Sequence, residues 1–289
     1  MDSPPFRASS PLAETDTAPA RQRSDGRVRL RVGPACPGGA TRILDLAESG
    51  PSRLRFPRGS GALETVLVNT AGGVACGDTF AIDLALEPAA DLVLTTTAAE
   101  KIYRSDGPVS HIANTLTLGA ESHLAWLPQE TILFDRARVR RRFQADLAEG
   151  AALLAVEVVA FGRAARGERI ADGLFADSWR IRRNGRLAYA DDFLLEGPIS
   201  DLLARPAVGG GARACATILD VSPGAEARLE EVRTRLAEAA SPGTHAAASA
   251  WNGHLAVRAL GEAVGPLRGV IARFLAGYRG LPMPRVWQS

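Results

Sequence analysis

From Arg27 to about Ile218 the chain alternates short apolar runs with clusters of Gly, Pro, Asn and Asp, the rhythm of strands separated by tight turns. Phe80, Ile82, Leu84 and Leu86 alternate with small or charged residues in the two-residue period of a half-buried strand, and Thr65–Asn69 is a short apolar run of the same type. Between Ser178-Trp-Arg-Ile-Arg-Arg183 and Arg186-Leu-Ala-Tyr-Ala190 stands Asn184-Gly185. Both of its residues tolerate positive φ, so the dipeptide predicts a two-residue type I′ hairpin.

A weaker pattern runs through the middle third. Pro88-Ala-Ala-Asp-Leu92, Gly119-Ala-Glu-Ser-His-Leu124 and Gly150-Ala-Ala-Leu153 each place small turn-forming residues before a leucine that opens a strand, and the leucines are spaced by 32 and 29 residues. Such a period suggests strands stacked coil upon coil. Helical periodicity appears only near the C-terminus. Residues 225–240 carry Leu229, Val232, Arg233 and Leu236 on a rough stripe, and in 266–278 Leu267, Val270, Ile271, Phe274, Leu275 and Tyr278 fall on one helical face. Pro266 suits a first turn, and Gly280 with Pro282 ends the helix. The expected fold is mainly β, a β-helical or solenoid-like two-layer sandwich, with two C-terminal helices.

Composition sets the limits of that unit. With 289 residues and 46% hydrophobic content the chain has enough apolar surface for a substantial core. Residues 1–26 are rich in Pro, Ser, Ala, Thr and charge and are expected to be a disordered tail, leaving 27–289 as a single β-rich domain. The tail has no apolar segment behind a basic start, and the longest apolar run, Ala151–Phe161, is interrupted by Glu157 and falls short of the roughly 20 residues a membrane helix needs. A cytoplasmic protein without a membrane partner is expected. Cys36, Cys76 and Cys215 are far apart and odd in number, which predicts reduced thiols. A formal net charge of +2 is too small for a general nucleic-acid binder.

Candidate chemistry is sparse. Gly72-Gly-Val-Ala-Cys-Gly-Asp-Thr79 matches the phosphate-loop pattern except that Asp78 replaces the lysine, and a strand pattern follows where a helix is required. A carboxylate there repels phosphate, so the segment reads as a glycine-rich turn between strands. His111, His123, His245 and His254 form no ligand pair, no C-x-x-C exists, and Ser60 lacks a nucleophile elbow. Carboxylates in apolar surroundings stand out instead: Glu130, Asp135 and Glu157. Each is either an outward strand residue or part of a polar internal path for a cation. Arg136, Arg138, Arg140, Arg141 and Arg142, followed by Arg163, Arg166 and Arg169, form a basic stripe with few aromatic neighbours. That composition suits a solvated strand face or a protein-docking surface better than single-strand nucleic acid.

Several longer strings, in order, resemble the UreD (UreH) family of urease accessory proteins: Asn69-Thr-Ala-Gly-Gly-Val-Ala-Cys-Gly-Asp78, Leu94-Thr-Thr-Thr-Ala-Ala-Glu-Lys-Ile-Tyr-Arg-Ser105, Leu124-Ala-Trp-Leu-Pro-Gln-Glu-Thr-Ile-Leu-Phe-Asp135, Phe161-Gly-Arg-Ala-Ala-Arg-Gly-Glu168 and Pro284-Arg-Val-Trp287. The resemblance implies a non-catalytic β-helical scaffold that binds the urease apoprotein, joins UreF and through it the GTPase UreG, and supports nickel insertion. It further implies no tightly bound cofactor, only nickel in transit; because carboxylate oxygens hold nickel more weakly than thiolate or imidazole clusters, Asp78, Glu130, Asp135 and Glu157 are the candidate ligands along such a path. Cys76 departs from the family, standing where a glycine is usual. Two rival readings are a β-solenoid carbohydrate-active hydrolase, which needs paired carboxylates about an exposed groove, and a nickel-storage protein, which needs a ligand cluster.

Overall fold

The computed structural model describes residues 23–58 and 61–288. Ser60 and most of the predicted tail, residues 1–22, lie outside the described residues. The chain opens with β1 (Asp25–Pro34), which takes in the last two residues assigned to the tail, then turns back as β2 (Thr41–Ser49) and crosses over as β3 (Ser52–Arg55) and β4 (Leu63–Asn69). Three coils follow. β5 (Thr79–Leu86) leads into β6 (Asp91–Thr96) and β7 (Glu100–Ile102); β8 (Ser110–Leu118) leads into β9 (His123–Leu127) and β10 (Thr131–Leu133); β11 (Arg138–Leu147) leads into β12 (Ala152–Phe161). The hairpin of β13 (Leu174–Arg183) and β14 (Arg186–Glu196) is followed by α1 (Ile199–Ala204), β15 (Ala214–Asp220) and α2 (Leu229–Ala239). The hairpin of β16 (Thr244–Trp251) and β17 (His254–Gly261) and then α3 (Val264–Arg279) complete the order.

The coils build two facing sheets. One runs β14-β13-β11-β8-β5-β1-β2, parallel except at its edges; the other runs β16-β17-β15-β12-β9-β6-β4-β3, with β10 attached to β12 and β7 to β10. Register explains the leucine pattern: Leu92, Leu124 and Leu153 are direct cross-strand neighbours, as are Leu86, Leu118 and Leu147. In each coil turn the residue three places before the second leucine is left-handed, with φ of 60° at Ala89, 54° at Glu121 and 71° at Gly150. Only the third copy uses glycine to avoid the Cβ penalty of that conformation.

Between the sheets lie Leu84, Leu94, Leu116, Trp126, Phe143, Leu153 and Trp179. The second sheet is covered on its other face by α2 and α3, whose Val232, Leu267, Ile271, Phe274 and Leu275 pack on Val156, Val158, Ile218 and Val257. β12 is therefore buried on both faces, which accounts for its nearly continuous apolar sequence. The six buried residues of α3 are those of the predicted stripe, and Gly280 caps it at φ 64°. Residues 225–228 form a 3₁₀ turn ahead of α2. Asn184 and Gly185 take φ of 49° and 75° in the expected tight hairpin. α1 is an addition to the two predicted helices; its six residues, with Ile199 and Leu203 buried, are too short to show a period.

Candidate functional site

Alternation along β11 sends Val139, Arg141, Phe143 and Ala145 into the sandwich and Arg138, Arg140 and Arg142 outward. Of the arginine stripe, Arg141 alone enters the core, at 8% exposure. Opposite it stand Glu157 of β12, also 8% exposed, and Asp177 of β13. The Arg141 guanidinium donates to Glu157 at 2.8 Å, to Asp177 at 2.6 Å and to the Thr131 hydroxyl at 3.1 Å. Each carboxylate takes a second bond from an indole N–H: Trp126 to Glu157 at 3.3 Å and Trp179 to Asp177 at 3.1 Å. Charges this deep are tolerated because the one cation is paired with both carboxylates and each carboxylate takes an indole hydrogen bond as well.

A cavity of about 160 Å³ adjoins the cluster and reaches Asp191, Cys215, Thr217 and Arg258. Arg258 of β17 bonds to Asp191 and Thr217 and donates to the Tyr189 hydroxyl at 3.1 Å, so it ties the two sheets together. Burial pushes the Glu157 carboxyl up from its ordinary range, against the pull of Arg141 and Trp126. Burial pulls Arg141 down, but its two carboxylates outweigh that and raise it, so the guanidinium stays charged. Burial pushes the Cys215 thiol up to about 12, which leaves it protonated and a poor metal ligand at neutral pH. A half-buried acid, Glu100, is pushed up to about 7 by desolvation, opposed by hydrogen bonds from Asn69.

The other sequence-selected carboxylates lie elsewhere. Asp78 is 4% exposed and accepts the backbone N–H groups of Ser24 at 2.7 Å and Ala75 at 2.8 Å. Ser110 donates to the Ala75 carbonyl at 2.5 Å and accepts from the Gly77 N–H at 3.1 Å. These bonds fold residues 72–78 into a turn between β4 and β5, with Gly72, Gly73 and Gly77 at positive φ; Cys76 is outside the left-handed region, so its Cβ fits. Asp135 accepts from the Ala171 and Asp172 N–H groups at 2.7 and 3.4 Å, fastening the loop that leads into β11. Glu130 lies on the helix-covered side of the second sheet, 3.3 Å from Arg268 of α3. The structure thus places Glu157 between the sheets, Asp78 and Asp135 in loops at the start of β5 and β11, and Glu130 across the sheet from Glu157. Among the described residues no group of three or more His, Cys, Asp and Glu side chains is arranged to hold a metal ion.

A family model described as UreD urease accessory protein matches residues 24–288. The chain belongs to the UreD family. It is similar to urease accessory protein UreD 1 of Methylobacterium radiotolerans, 89% identical over 272 residues that cover 94% of each chain. UreD 2 of Methylorubrum populi is 62% identical, covering 96% of this chain and 95% of its own, and UreD 3 of Methylorubrum extorquens is 59% identical, covering 99% and 96%. Membership of the UreD family makes the chain a non-enzymatic urease accessory factor and removes the hydrolase reading. Among the described residues no helix is long and apolar enough to cross a membrane.

Sequence reasoning placed Arg141 in the basic stripe without separating it from its neighbours, and it missed Asp177, Asp191 and Arg258. Arg141 had a usable signal, its parity with Val139 and Phe143; the rest needed the sheet order.

Proposed function

We propose that this UreD-family chain is a cytoplasmic scaffold that binds the urease apoprotein and, with UreF and through it the GTPase UreG, supports nickel insertion. The match over residues 24–288 supports the reading. Nickel is cargo here, held in passing by carboxylate oxygens, which bind it more weakly than thiolate or imidazole clusters and so release it again. Glu157, beside a polar inter-sheet cavity, is the internal station, and Asp78, Glu130 and Asp135 are the other candidate ligands. A nickel ion at Glu157 has to displace Arg141, which at 2.8 Å already occupies the cation position. That competition favours transfer over storage.

The test uses tagged protein with purified urease apoprotein, UreF and UreG. Wild type co-purifies with urease and raises its nickel content; Glu157→Gln and Glu130→Ala leave the complex assembled and lower nickel content and activity. Normal activation by both folded variants would remove these residues from the path. Failure of the wild type to bind urease would remove the scaffold reading itself.

A further inference from the structure

Among the described residues no helix covers the outer face of the seven-stranded sheet, because α2 and α3 both pack on the other sheet. A mostly parallel sheet with one bare face is unusual, since parallel strands are ordinarily covered on both sides. On this face Arg138, Arg140 and Arg142 rise from β11. Register sets His111 and Ala176 beside Arg140, and Ala113 and Ser178 beside Arg142. Next to Ala113 comes Ala81 of β5. Two long cations therefore stand on a floor made mostly of small side chains, with His111 beside Arg140.

Most outward arginines of this sheet are already neutralised. Arg27 pairs with Asp25, Arg29 with Asp45, Arg31 with Glu87, Arg180 with Asp192, and Arg138 lies 3.8 Å from Asp172 and 3.6 Å from Glu196. Arg182 faces Asp146 in register. Arg140 and Arg142 are exposed and have no ion-pair partner among the described residues. Alternate residues on a strand are about 6.6 Å apart, close to the roughly 6 Å rise between positions i and i+4 of a helix. An acidic helix laid along β11 meets both guanidinium groups at once, each able to take a carboxylate through two parallel N–H donors.

We propose that the Arg140–Arg142 ridge on the bare face of this sheet is the docking surface for an acidic surface of the urease apoprotein. The proposal rests on the accessory function above and adds which face is used and by what chemistry. Binding of purified urease apoprotein to the full chain is measured at low and high ionic strength. Wild-type affinity falls steeply with salt; R140E/R142E binds at least about tenfold more weakly at low salt and has lost most of the salt dependence, R140Q/R142Q falls between, and R233E on α2 binds as wild type. All three side chains are solvent-facing, and unchanged thermal unfolding of the variants shows that they fold. If R140E/R142E is folded and binds urease as wild type does, the ridge is not the docking surface while the accessory function stands. If wild type itself fails to bind, both fall.

Discussion

Replacing Arg141 by Met tests whether the inter-sheet cluster is held together by its single cation. The substitution keeps most of the side-chain length and removes the guanidinium, leaving Glu157 and Asp177 buried with one indole N–H each. Breaking a buried pair from one side costs about 3–5 kcal/mol, because the remaining charge has neither water nor partner. With a urea dependence on the order of 3 kcal/mol per molar for a chain of this size, the unfolding midpoint falls by about 1–1.7 M. Glu157→Gln removes one arm and leaves the 2.6 Å pair of Arg141 and Asp177, so it costs less, about 1–3 kcal/mol. R141M/E157L/D177L, which replaces the whole cluster with apolar side chains, recovers most of the loss. Trp126 and Trp179 touch the two carboxylates, so tryptophan fluorescence reports the transition at the site. The R141M deficit shrinks as pH falls, because protonation of the stranded Glu157 carboxyl, already pushed up by burial, relieves it. A midpoint shift for R141M under about 0.3 M, or a larger shift for Glu157→Gln than for R141M, refutes the reasoning.

Three further outcomes follow from particular residues. Gly150→Ala is destabilised by about 1–2 kcal/mol in urea unfolding, because φ is 71° and a new Cβ would sit 1.7 Å from a Glu121 carboxylate oxygen, whereas Ala89→Gly, at φ 60° in the equivalent turn, is neutral or slightly stabilising. His254 is fully buried between Tyr189 and Trp251, and burial depresses its pKa against the pulls of the Asn252 backbone and Glu226. Its contribution is therefore present above the unfolded value of 6.5 and is lost as pH falls below it, and His254→Phe flattens the pH dependence of the melting temperature in that window. Glu100 works in the opposite sense: its folded pKa of about 7 exceeds 4.5, so stability falls as pH rises through that interval, and Glu100→Gln is about 1–3 kcal/mol more stable than wild type at pH 8 but not at pH 5. Equal pH profiles for the variants and wild type would count against both assignments.

The sequence by itself determined the features that a few neighbouring residues decide. Asn184-Gly185 set a hairpin because its backbone preference is local, the stripe from Leu267 to Tyr278 set α3 because its period is local, and the three spaced leucines marked coils because each coil repeats the same turn. Asn252-Gly253 carries the same hairpin signal, at φ of 53° and 79°, but its first strand, THAAASAW, lacks the β-branched alternation that makes such a signal readable. The site was legible only as a list of acids. Period two along a strand says that Glu157 and Arg141 each differ from their neighbours, but a shift of one residue exchanges the faces, so which side is core depends on sheet pairing. Pairing joined β11 with β13 and set β12 opposite them, which brought Arg141 to Glu157 across 16 residues and to Asp177 across 36, while it put Glu130 under α3 on the other side of the sheet. Those contacts depend on the stacking of whole coils, and no window of sequence contains both partners and the sheets that align them.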